Sequence, residues 1–286
     1  MARCEVCFRH CDIPEGGLGF CGARTCSGGH VIAANYGKIT SLALDPIEKK
    51  PLNRFFPGSM ILSVGSYGCN LRCPFCQNHE ISWSERAMHF SQEAEEISPE
   101  SLAETAAFYQ KRGNIGVAFT YNEPLIGYEF VADTARLVHA MGMKTVLVTN
   151  GTASLPVLEA LGPFVDAMNI DLKGFTDRYY RDVLKGDRQM VMDFISRAVQ
   201  LCHVELTTLI VPGENDSDEE MEALSRWIAE LTDETGHVIG RNIPLHISRF
   251  FPRFRMQDRP ATDVGLVYHL AETAGKNLRY VYTGNC

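Results

Sequence analysis

Short apolar segments alternate with longer amphipathic segments from residue 60 onward. Six of the apolar segments are rich in valine, isoleucine or threonine and are as brief as buried strands. These segments span residues 60–68, 115–122, 144–150, 167–173, 203–212 and 243–250. We therefore predict six strands that are covered on both faces.

The segments between these strands have the periodicity of amphipathic helices. We predict helices within residues 98–113, 129–142, 189–202 and 217–231. The first has Ser98 as a candidate N-cap, Pro99 at the first helical position and Gly113 beyond its end. Six strands alternating with helices, joined by right-handed crossovers, predict an α/β fold in the form of a partial (β/α)6 TIM-like barrel. A doubly wound open sheet fits the same pattern.

The chain before residue 60 has a different character. Its first thirty residues are rich in cysteine and glycine, which is typical of a small metal-stabilised module. Residues 31–40 predict a strand or hairpin, and residues 41–59 predict a connecting arm. We therefore divide the chain into a cysteine-rich metal-binding module with its arm, residues 1–59, and a barrel, residues 60–286.

Polar residues follow most of the predicted strands at their carboxyl ends. They occupy residues 120–123, 149–151, 171–173 and 246–249. In parallel α/β folds this edge of the sheet carries ligands and chemistry. Such residues also serve as helix caps, but their presence after so many strands favours a functional site.

Composition narrows the class of protein. The 286 residues are 45% hydrophobic and 22% charged, which excludes a disordered chain, and the net charge of −8 argues against nucleic-acid binding. No apolar run is long enough to cross a bilayer and no signal peptide is recognisable, so we expect a cytoplasmic protein with no membrane partner. Eight of the ten cysteines lie within the first 76 residues, and in a reducing cytosol such clustering favours metal binding over disulfides.

The string GCNLRCPFCQNHEIS, residues 68–82, follows the first predicted strand of the barrel. Its Cys69, Cys73 and Cys76 have the spacing C-x3-C-x2-C. Three thiolates on one short loop can each bind a different iron of a [4Fe–4S] cubane and leave the fourth iron open to a substrate. A zinc ion held by these cysteines and His79 is the alternative.

A second set of cysteines lies at the N-terminus and comprises Cys4, Cys7, Cys11 and Cys21. Four thiolates in a glycine-rich segment satisfy a closed site for zinc or for an auxiliary iron–sulfur cluster, and the spacing fits both. We expect a structural rather than a redox role for this site. Cys26 is either a spare cysteine or a substitute ligand.

The three-cysteine loop resembles that of the radical SAM superfamily. The strings TYNEP, VTNG, MNIDLKGF, LIVPGENDS, HISRFFP and YVYTGN resemble one of its families closely, the radical SAM enzyme of the AmmeMemoRadiSam system, related to pyruvate formate-lyase activating enzymes. The resemblance implies an oxidoreductase that reductively cleaves S-adenosylmethionine (SAM) at a [4Fe–4S] cluster. The resulting 5′-deoxyadenosyl radical abstracts hydrogen from a small-molecule or protein substrate that the sequence does not identify. An electron donor such as a flavodoxin or ferredoxin is also implied.

Two other functions remain open from the sequence. One is activation of a glycyl-radical enzyme, in which the substrate is the backbone of a partner protein. Tyr121 and Asn122 stand where such activases carry two glycines, and Val148 stands where they carry an acidic residue, which favours a different substrate. The other is a non-catalytic metal-binding or electron-transfer module, which needs no SAM pocket.

The resemblance also assigns SAM contacts by matching position. It implies that Phe75 lies beside the adenine and that Asn150 bonds the ribose or the carboxylate. Asn122 and Glu123 stand where relatives receive the amino group of SAM. Since a carboxylate suits an ammonium, Glu123 is the better candidate of the two.

Three further polar residues are candidates for cofactor binding. Asp171 and Lys173 occupy alternate positions, so both side chains point to one face, into the barrel, and we expect them to pair with each other or with a ligand. His246 projects on the same face as Ser248 and is either a ligand contact or a hydrogen-bonded core histidine. Residues 249–255, RFFPRFR, are suited to an anionic or peptide substrate or to a loop that closes the barrel.

Overall fold

The computed structural model describes residues 1–87 and 94–286. Its strands, in chain order, are β1 (Ala2–Arg3), β2 (Asp12–Ile13), β3 (Arg24–Ser27), β4 (His30–Ala33), β5 (Lys38–Ile39), β6 (Ser41–Pro46), β7 (Met60–Gly65), β8 (Glu95–Glu96), β9 (Asn114–Phe119), β10 (Lys144–Thr149), β11 (Ala167–Asp171), β12 (His203–Ile210), β13 (Leu245–Arg249) and β14 (Val281–Gly284). Eight of them form one sheet in the order β14–β13–β12–β11–β10–β9–β7–β6.

This sheet has the strand order of a barrel. All neighbouring strands are parallel except β6, which runs antiparallel to β7. From β7 to β14, the order of the strands across this sheet is the same as their order along the chain. In a doubly wound sheet, by contrast, the strand order reverses partway across the sheet. Among the described residues no pairing joins β6 to β14. The predicted partial barrel and its six strands, β7 and β9 to β13, are therefore confirmed.

Within the described ranges, four α-helices match the predicted ones and three lie outside them. The helices are α1 (His79–Ser82), α2 (Pro99–Phe108), α3 (Tyr128–Ala140), α4 (Leu155–Leu161), α5 (Arg188–Ala198), α6 (Asp218–Ala229) and α7 (Val264–Gly275). Ser98 caps α2 as predicted, since its hydroxyl accepts a hydrogen bond from the Ser101 N–H group at 3.2 Å. In the part of the chain that is described, no helix is both long enough and apolar enough to span a bilayer.

The predicted connecting arm is part of the barrel. Residues 41–46 form β6 at the edge of the sheet. Ile47, Leu52 and Phe55 then pack in a buried cluster with residues of β7, β9, β10 and β11. The arm therefore fills one end of the barrel interior, and the predicted boundary after residue 59 cuts through a single packed unit.

A buried carboxylate fixes the arm to the barrel. Glu205 on β12 is fully buried and accepts hydrogen bonds from the N–H groups of Asn53 and Arg54 at 3.0 and 2.7 Å. The rings of His203 and His246 contact its oxygens at 3.0 and 2.7 Å. Burial alone would raise the pKa of Glu205, but these hydrogen bonds outweigh burial and hold the pKa at about 2.

The N-terminal module consists of the antiparallel pairs β1–β2 and β3–β4. Its Arg24 side chain lies 2.7 Å from Glu129 on α3, and its Val6 carbonyl accepts a hydrogen bond from the Ser154 N–H group at 2.8 Å. The prediction for residues 31–40 is correct in part, because β4 forms a hairpin with β3 whereas β5 pairs with β8.

Candidate active site

A cavity of about 520 Å³ lies at the carboxyl ends of the barrel strands. Nine of the residues predicted for the site line it, namely Cys69, Cys73, Phe75, Cys76, Asn122, Glu123, Asn150, Asp171 and Lys173. These residues come from four consecutive strand ends, after β7, β9, β10 and β11. The barrel therefore gathers side chains that are far apart in the sequence at the edge where such folds carry chemistry.

The three cysteines stand on one wall of this cavity. The Leu71 N–H group and the Asn150 Nδ2 atom lie 3.4 and 3.6 Å from the Cys69 sulfur. Burial raises the pKa of Cys69 well above its ordinary value and that of Cys73 to about 12. Such buried thiols become thiolates when a metal compensates their charge, so their chemistry fits a bound iron centre.

The alternative of zinc with His79 gains no support from the geometry. The His79 ring stacks on Phe254, with centroids 4.1 Å apart, and lines a neighbouring cavity. In the described ranges, no group of three or more cysteine, histidine, aspartate or glutamate side chains is arranged around a single metal ion. A cubane keeps its ligand sulfurs further apart than a single ion does, so cysteines spaced around a cavity wall fit the cluster better than zinc.

Glu123 is a buried carboxylate of the cavity whose oxygens accept three hydrogen bonds. Oε1 accepts from Thr149 Oγ1 at 2.6 Å and from the Leu125 N–H group at 3.0 Å, and Oε2 accepts from the Asn150 N–H group at 2.8 Å. Burial raises the pKa of Glu123 to about 7, against the lowering effect of these bonds. A cation bound beside this carboxylate would stabilise its charged form.

The amide of Asn122 is occupied in holding the loop after β9. Its Oδ1 atom accepts a hydrogen bond from the Ser66 N–H group at 3.0 Å, and its Nδ2 atom donates to the Tyr67 carbonyl at 3.1 Å. Asn122 therefore shapes the wall of the cavity by joining the loops after β7 and β9.

Asp171 and Lys173 pair with each other, as predicted. The Lys173 Nζ atom lies 2.7 Å from Asp171 Oδ2 at the cavity wall. Burial alone would lower the pKa of Lys173, but the charge of Asp171 outweighs burial and raises the pKa above its ordinary value. Lys173 is therefore a permanent cation in the cavity.

The structure places His246, the remaining candidate for cofactor binding, against Glu205. His246 lies two residues before Ser248 on β13, and Ser248, not His246, is among the residues that line the cavity. The His246 ring is bound to Glu205, inside the barrel, at 2.7 Å. This contact supports the alternative of a hydrogen-bonded core histidine, because the buried Glu205 on β12 binds the Nε2 atom of the ring.

Sequence reasoning missed a buried ionic cluster behind Tyr121. Tyr121 lines the cavity with a φ of 73°, and its hydroxyl donates to Asp45 at 2.8 Å. Lys50 Nζ lies 2.9 Å from the same carboxylate. Burial alone would raise the pKa of Asp45, but these contacts hold it well below its usual range. Both partners come from the arm, so no local pattern around Tyr121 could have identified them.

Asn70, inside the cysteine motif, was also missed. Its buried Oδ1 atom accepts hydrogen bonds from Asn150 Nδ2 and Thr152 Oγ1, both at 3.0 Å. Its Nδ2 atom donates to the Thr152 carbonyl at 2.7 Å. Asn70 thus fixes the cysteine loop to the residues after β10. Its position as a polar residue between the proposed ligands Cys69 and Cys73 is the sequence feature that could have identified it.

Residues 249–255 form the rim of the cavity. Four of their side chains line it, namely Arg249, Phe250, Phe251 and Arg253. Phe250 contacts Phe75 edge to face, with ring centroids 6.2 Å apart. The Arg255 N–H group donates to the Pro74 carbonyl at 2.9 Å, so the rim is joined directly to the cysteine loop.

The four N-terminal cysteines line a second, smaller cavity, which contains Cys4, Cys7, Cys11 and Cys21 in its wall. Burial raises the pKa of Cys7 and raises that of Cys21 to about 11, and the charges of neighbouring cysteines add to both shifts. Cys26 is not among the lining residues, and its thiol lies 3.3 Å from Glu15 Oε2. The module therefore gathers four of its five cysteines.

Comparisons of the sequence agree with this geometry. The family model of the radical SAM superfamily matches residues 63–228. The uncharacterized protein MJ0808 of Methanocaldococcus jannaschii is 40% identical over 288 residues, which cover 99% of this chain and 81% of that protein. The pyruvate formate-lyase 1-activating enzyme of Escherichia coli K12 is 27% identical over 177 residues, which cover 60% of this chain and 68% of that enzyme.

Solved structures share the fold. Streptococcus suis SuiB bound to S-adenosylmethionine superposes with a TM-score of 0.58 at 13% identity, over 77% of this chain and 48% of SuiB. A domain of a pyruvate-formate lyase-activating enzyme from Bacteroides vulgatus gives a TM-score of 0.50 at 14% identity, over 59% of this chain and 99% of that domain.

Proposed function

Because this chain belongs to the radical SAM superfamily and is therefore a radical SAM enzyme, we propose that Cys69, Cys73 and Cys76 ligate its [4Fe–4S] cluster. A cluster held by these three cysteines would offer SAM a binding position on its remaining iron. The observation that carries the proposal is the placement of all three thiols on the wall of one cavity at the carboxyl ends of the strands. The similarity to MJ0808 and to the activating enzyme is consistent with the AmmeMemoRadiSam family.

The bound and reduced cluster would supply the electron that cleaves the sulfonium bond of SAM to give a 5′-deoxyadenosyl radical, which abstracts hydrogen from the substrate. The residues around the cavity orient SAM for this step. Glu123 pairs with the SAM ammonium, because its buried carboxylate gains from an adjacent cation. Phe75 packs beside the adenine, and Asn150 bonds the ribose or carboxylate of SAM.

Residues 249–255 at the rim and the Asp171–Lys173 pair determine the environment that a substrate meets in the cavity. Phe250 and Phe251 add apolar surface to the cavity wall, which helps to keep water from the reacting atoms. Lys173 and Asp171 neutralise each other across 2.7 Å, so a polar substrate meets a fixed pair of opposite charges. Arg249 and Arg253 add positive charge at the rim, which favours a substrate with an anionic group.

Anaerobic reconstitution with iron and sulfide, followed by reduction and assay for 5′-deoxyadenosine, tests this function. We expect the wild-type protein to convert SAM to 5′-deoxyadenosine and the Cys73→Ala variant to lose this activity together with one cluster, while the N-terminal site is retained. Cys202→Ala is the matched control, because Cys202 lies in neither cavity. A wild-type protein that binds neither iron nor SAM would exclude the proposal.

A second candidate substrate is the backbone of a partner protein. It is favoured by the similarity to the pyruvate formate-lyase 1-activating enzyme of Escherichia coli. Tyr121 argues against it, because this side chain and its partner Asp45 fill space beside the cavity where those activases carry glycine. Incubating the reduced enzyme and SAM with a candidate partner and recording a glycyl-radical spectrum distinguishes the two substrates.

We also propose that Cys4, Cys7, Cys11 and Cys21 bind a metal centre, either zinc or an iron–sulfur cluster. Their common cavity and mutual charge effects support this ligand set. A one-electron carrier such as a flavodoxin or ferredoxin is the proposed electron donor.

A further inference from the structure

We propose that the four N-terminal cysteines hold a second iron–sulfur cluster that passes electrons to the cluster at Cys69, Cys73 and Cys76. The inference rests on the proposed function, since it assigns the route by which that site is reduced. It replaces the structural role that we expect from the sequence alone. The proposal is based on contacts between the two sets of cysteines, one of which joins the proposed ligand Cys21 directly to the proposed ligand Cys69.

A single backbone hydrogen bond connects ligands of the two centres. The Cys69 N–H group donates to the Cys21 carbonyl at 3.2 Å. The route from the Cys21 sulfur to the Cys69 sulfur therefore consists of covalent bonds within two residues and this one hydrogen bond. Electrons move between centres more readily along such bonded routes than across gaps of the same length.

The close approach at this hydrogen bond depends on Gly68. Gly68 has a φ of 92°, and a Cβ atom there would lie 2.8 Å from the Cys21 carbonyl oxygen and 2.8 Å from Ala23 Cβ. Only glycine allows both the backbone conformation and the contact. Gly68, next to the proposed ligand Cys69, therefore allows the loops that carry Cys21 and Cys69 to come into contact.

A second connection runs through side-chain amides. The side-chain amide of Asn70 forms a hydrogen bond with the Cys7 thiol. The Asn70 Oδ1 atom accepts from Asn150 Nδ2 at 3.0 Å, and the same Nδ2 atom lies 3.6 Å from the Cys69 sulfur. The two cysteine sets are therefore linked at two independent points.

Two arginine side chains connect the N-terminal module with the loop that carries Cys69, Cys73 and Cys76. The guanidinium groups of Arg9 and Arg72 lie 3.7 and 3.8 Å from the centroid of the Phe20 ring. Arg72 donates to the Cys69 carbonyl at 2.8 Å, and Arg9 donates to the Asn70 carbonyl at 3.3 Å. Guanidinium groups keep their charge, so they offset the repulsion between two thiolate-ligated centres and favour the added negative charge of a reduced one.

The donor set and its surroundings favour an iron–sulfur cluster over zinc. The four thiols stand around a cavity, and nowhere in the described part of the chain is a group of ligands drawn in around one ion. Zinc has no redox chemistry, so a zinc site would make no use of a ligand-to-ligand connection. Cys11 is half-buried and Phe20 is 39% exposed, which brings this centre near the surface of the module.

The proposed step transfers one electron and moves no atom. A reduced carrier of the flavodoxin or ferredoxin class loses one electron to the N-terminal centre and is oxidised. The same electron then passes from the Cys21 side to the Cys69 side, where it serves the reductive cleavage of SAM. No proton or leaving group is involved in either transfer.

Metal analysis and electron paramagnetic resonance of the full-length, anaerobically reconstituted protein test the assignment. We expect about eight irons per chain and no stoichiometric zinc, with two cluster signals broadened by their mutual coupling after reduction. Cys11→Ala and Cys73→Ala should each remove about half of the iron and leave one unbroadened signal. Cys26→Ala, in the same module but outside the cavity, should match the wild type.

The reduction route is tested by changing the reductant. With reduced flavodoxin as donor, we expect Cys11→Ala to form 5′-deoxyadenosine more than tenfold more slowly than the wild type. With dithionite, a small reductant that reaches the remaining cluster directly, the rates should agree within about twofold. SAM binding and circular dichroism of Cys11→Ala establish that the variant is folded.

Three outcomes would overturn the relay. They are one zinc per chain in the wild type, two clusters whose signals do not interact, or an undiminished rate for Cys11→Ala with flavodoxin. The first two need no variant and so remain decisive if Cys11→Ala does not fold. Failure of the wild type to cleave SAM with dithionite would instead contradict the proposed function, because that assay bypasses the N-terminal centre.

Discussion

Glu123 is held by three hydrogen bonds that a neutral side chain of the same shape cannot reproduce. An amide at this position would turn its NH2 group toward one of the donors, Thr149, Leu125 or Asn150. It would also lose the charge that attracts the SAM ammonium. We expect Glu123→Gln to weaken SAM binding by about tenfold or more, measured by calorimetry on the reconstituted protein.

Glu104→Gln is the matched control for this change. Glu104 is an exposed carboxylate on α2, so its loss should leave the dissociation constant of SAM unchanged. Equal SAM affinity for the wild type and Glu123→Gln would mean that the carboxylate serves only to fix the loop after β9.

Substitution of two glycines that have positive φ distinguishes the cost of backbone strain from the cost of a steric clash. Gly22 has a φ of 75° with open space around its Cα, whereas a Cβ at Gly68 would overlap three neighbouring groups. Gly22→Ala should therefore cost about 1 kcal/mol of unfolding free energy from the backbone alone, and Gly68→Ala about 2 kcal/mol more. Urea unfolding of the metal-free variants measures both, and equal losses would show that the loops adjust freely at Gly68.

At the residue scale, the sequence identified the candidate residues that belong to a local motif. Cys69, Cys73 and Cys76 share one loop, and the pairing of Asp171 with Lys173 follows from their alternate positions at the end of β11. The environment of Tyr121 could not be predicted, because its partners lie in the arm and meet it only after the barrel forms. The contact between His246 and Glu205 could not be predicted for the same reason, since Glu205 is on another strand.

At the scale of elements, buried strands were easier to identify than edge strands. β7 and β9 to β13 are largely buried and have neighbours on both sides, so their sequences are rich in apolar residues. β6 and β14 pair on one side only, and both are largely half-buried or exposed. Their sequences therefore lack the buried-strand signature, and their place in the sheet depends on distant pairing.

The contact between the arm and β12 gives a prediction at this scale. Glu205→Gln replaces one carboxylate oxygen by an NH2 group, which cannot accept the hydrogen bond from either Asn53 or Arg54, whichever N–H group it faces. We expect the variant to lose about 2 kcal/mol of unfolding free energy at pH 7, measured by urea unfolding. The exposed Glu104→Gln change should leave the unfolding free energy nearly unchanged.

The same carboxylate gives the effect a defined pH dependence. The folded state holds the pKa of Glu205 at about 2, below the ordinary value of 4.5. As the pH falls below about 4.5, the unfolded chain binds the proton first, so the stabilisation present above that pH is lost as the pH approaches 2. The difference between wild type and Glu205→Gln should therefore narrow between pH 5 and pH 3. A constant difference would mean that the carboxylate is not ionised in the folded protein.

At the scale of the whole molecule, the first 59 residues pack against the barrel in two places, in its interior and on its outside. The arm fills the interior with Ile47, Leu52 and Phe55, opposite the end that holds the candidate active site. The module before it packs against the cysteine loop through Cys21. Neither arrangement could be read from the sequence, because both depend on contacts between segments that carry separate local patterns.

The ion pair between Arg24 and Glu129 holds the module against α3. The Arg24 side chain is only 6% exposed, and its guanidinium also reaches the Ile126 carbonyl at 3.4 Å. Arg24→Met would leave the half-buried Glu129 without its cation, so we expect a loss of about 2 kcal/mol and faster proteolysis of the module. Urea unfolding and timed digestion measure the two effects.

Two further variants decide whether this ion pair acts by holding the module in place. Arg24→Met with Glu129→Leu removes both charges and should recover part of the loss, because the cost lies mainly in the unpaired carboxylate. Arg136→Met on the same helix breaks an exposed pair with Asp133 and should change neither stability nor digestion. If Arg24→Met instead digests at the wild-type rate, the ion pair does not hold the module in place, and other contacts, among them the Cys21–Cys69 and Val6–Ser154 hydrogen bonds, attach it to the barrel.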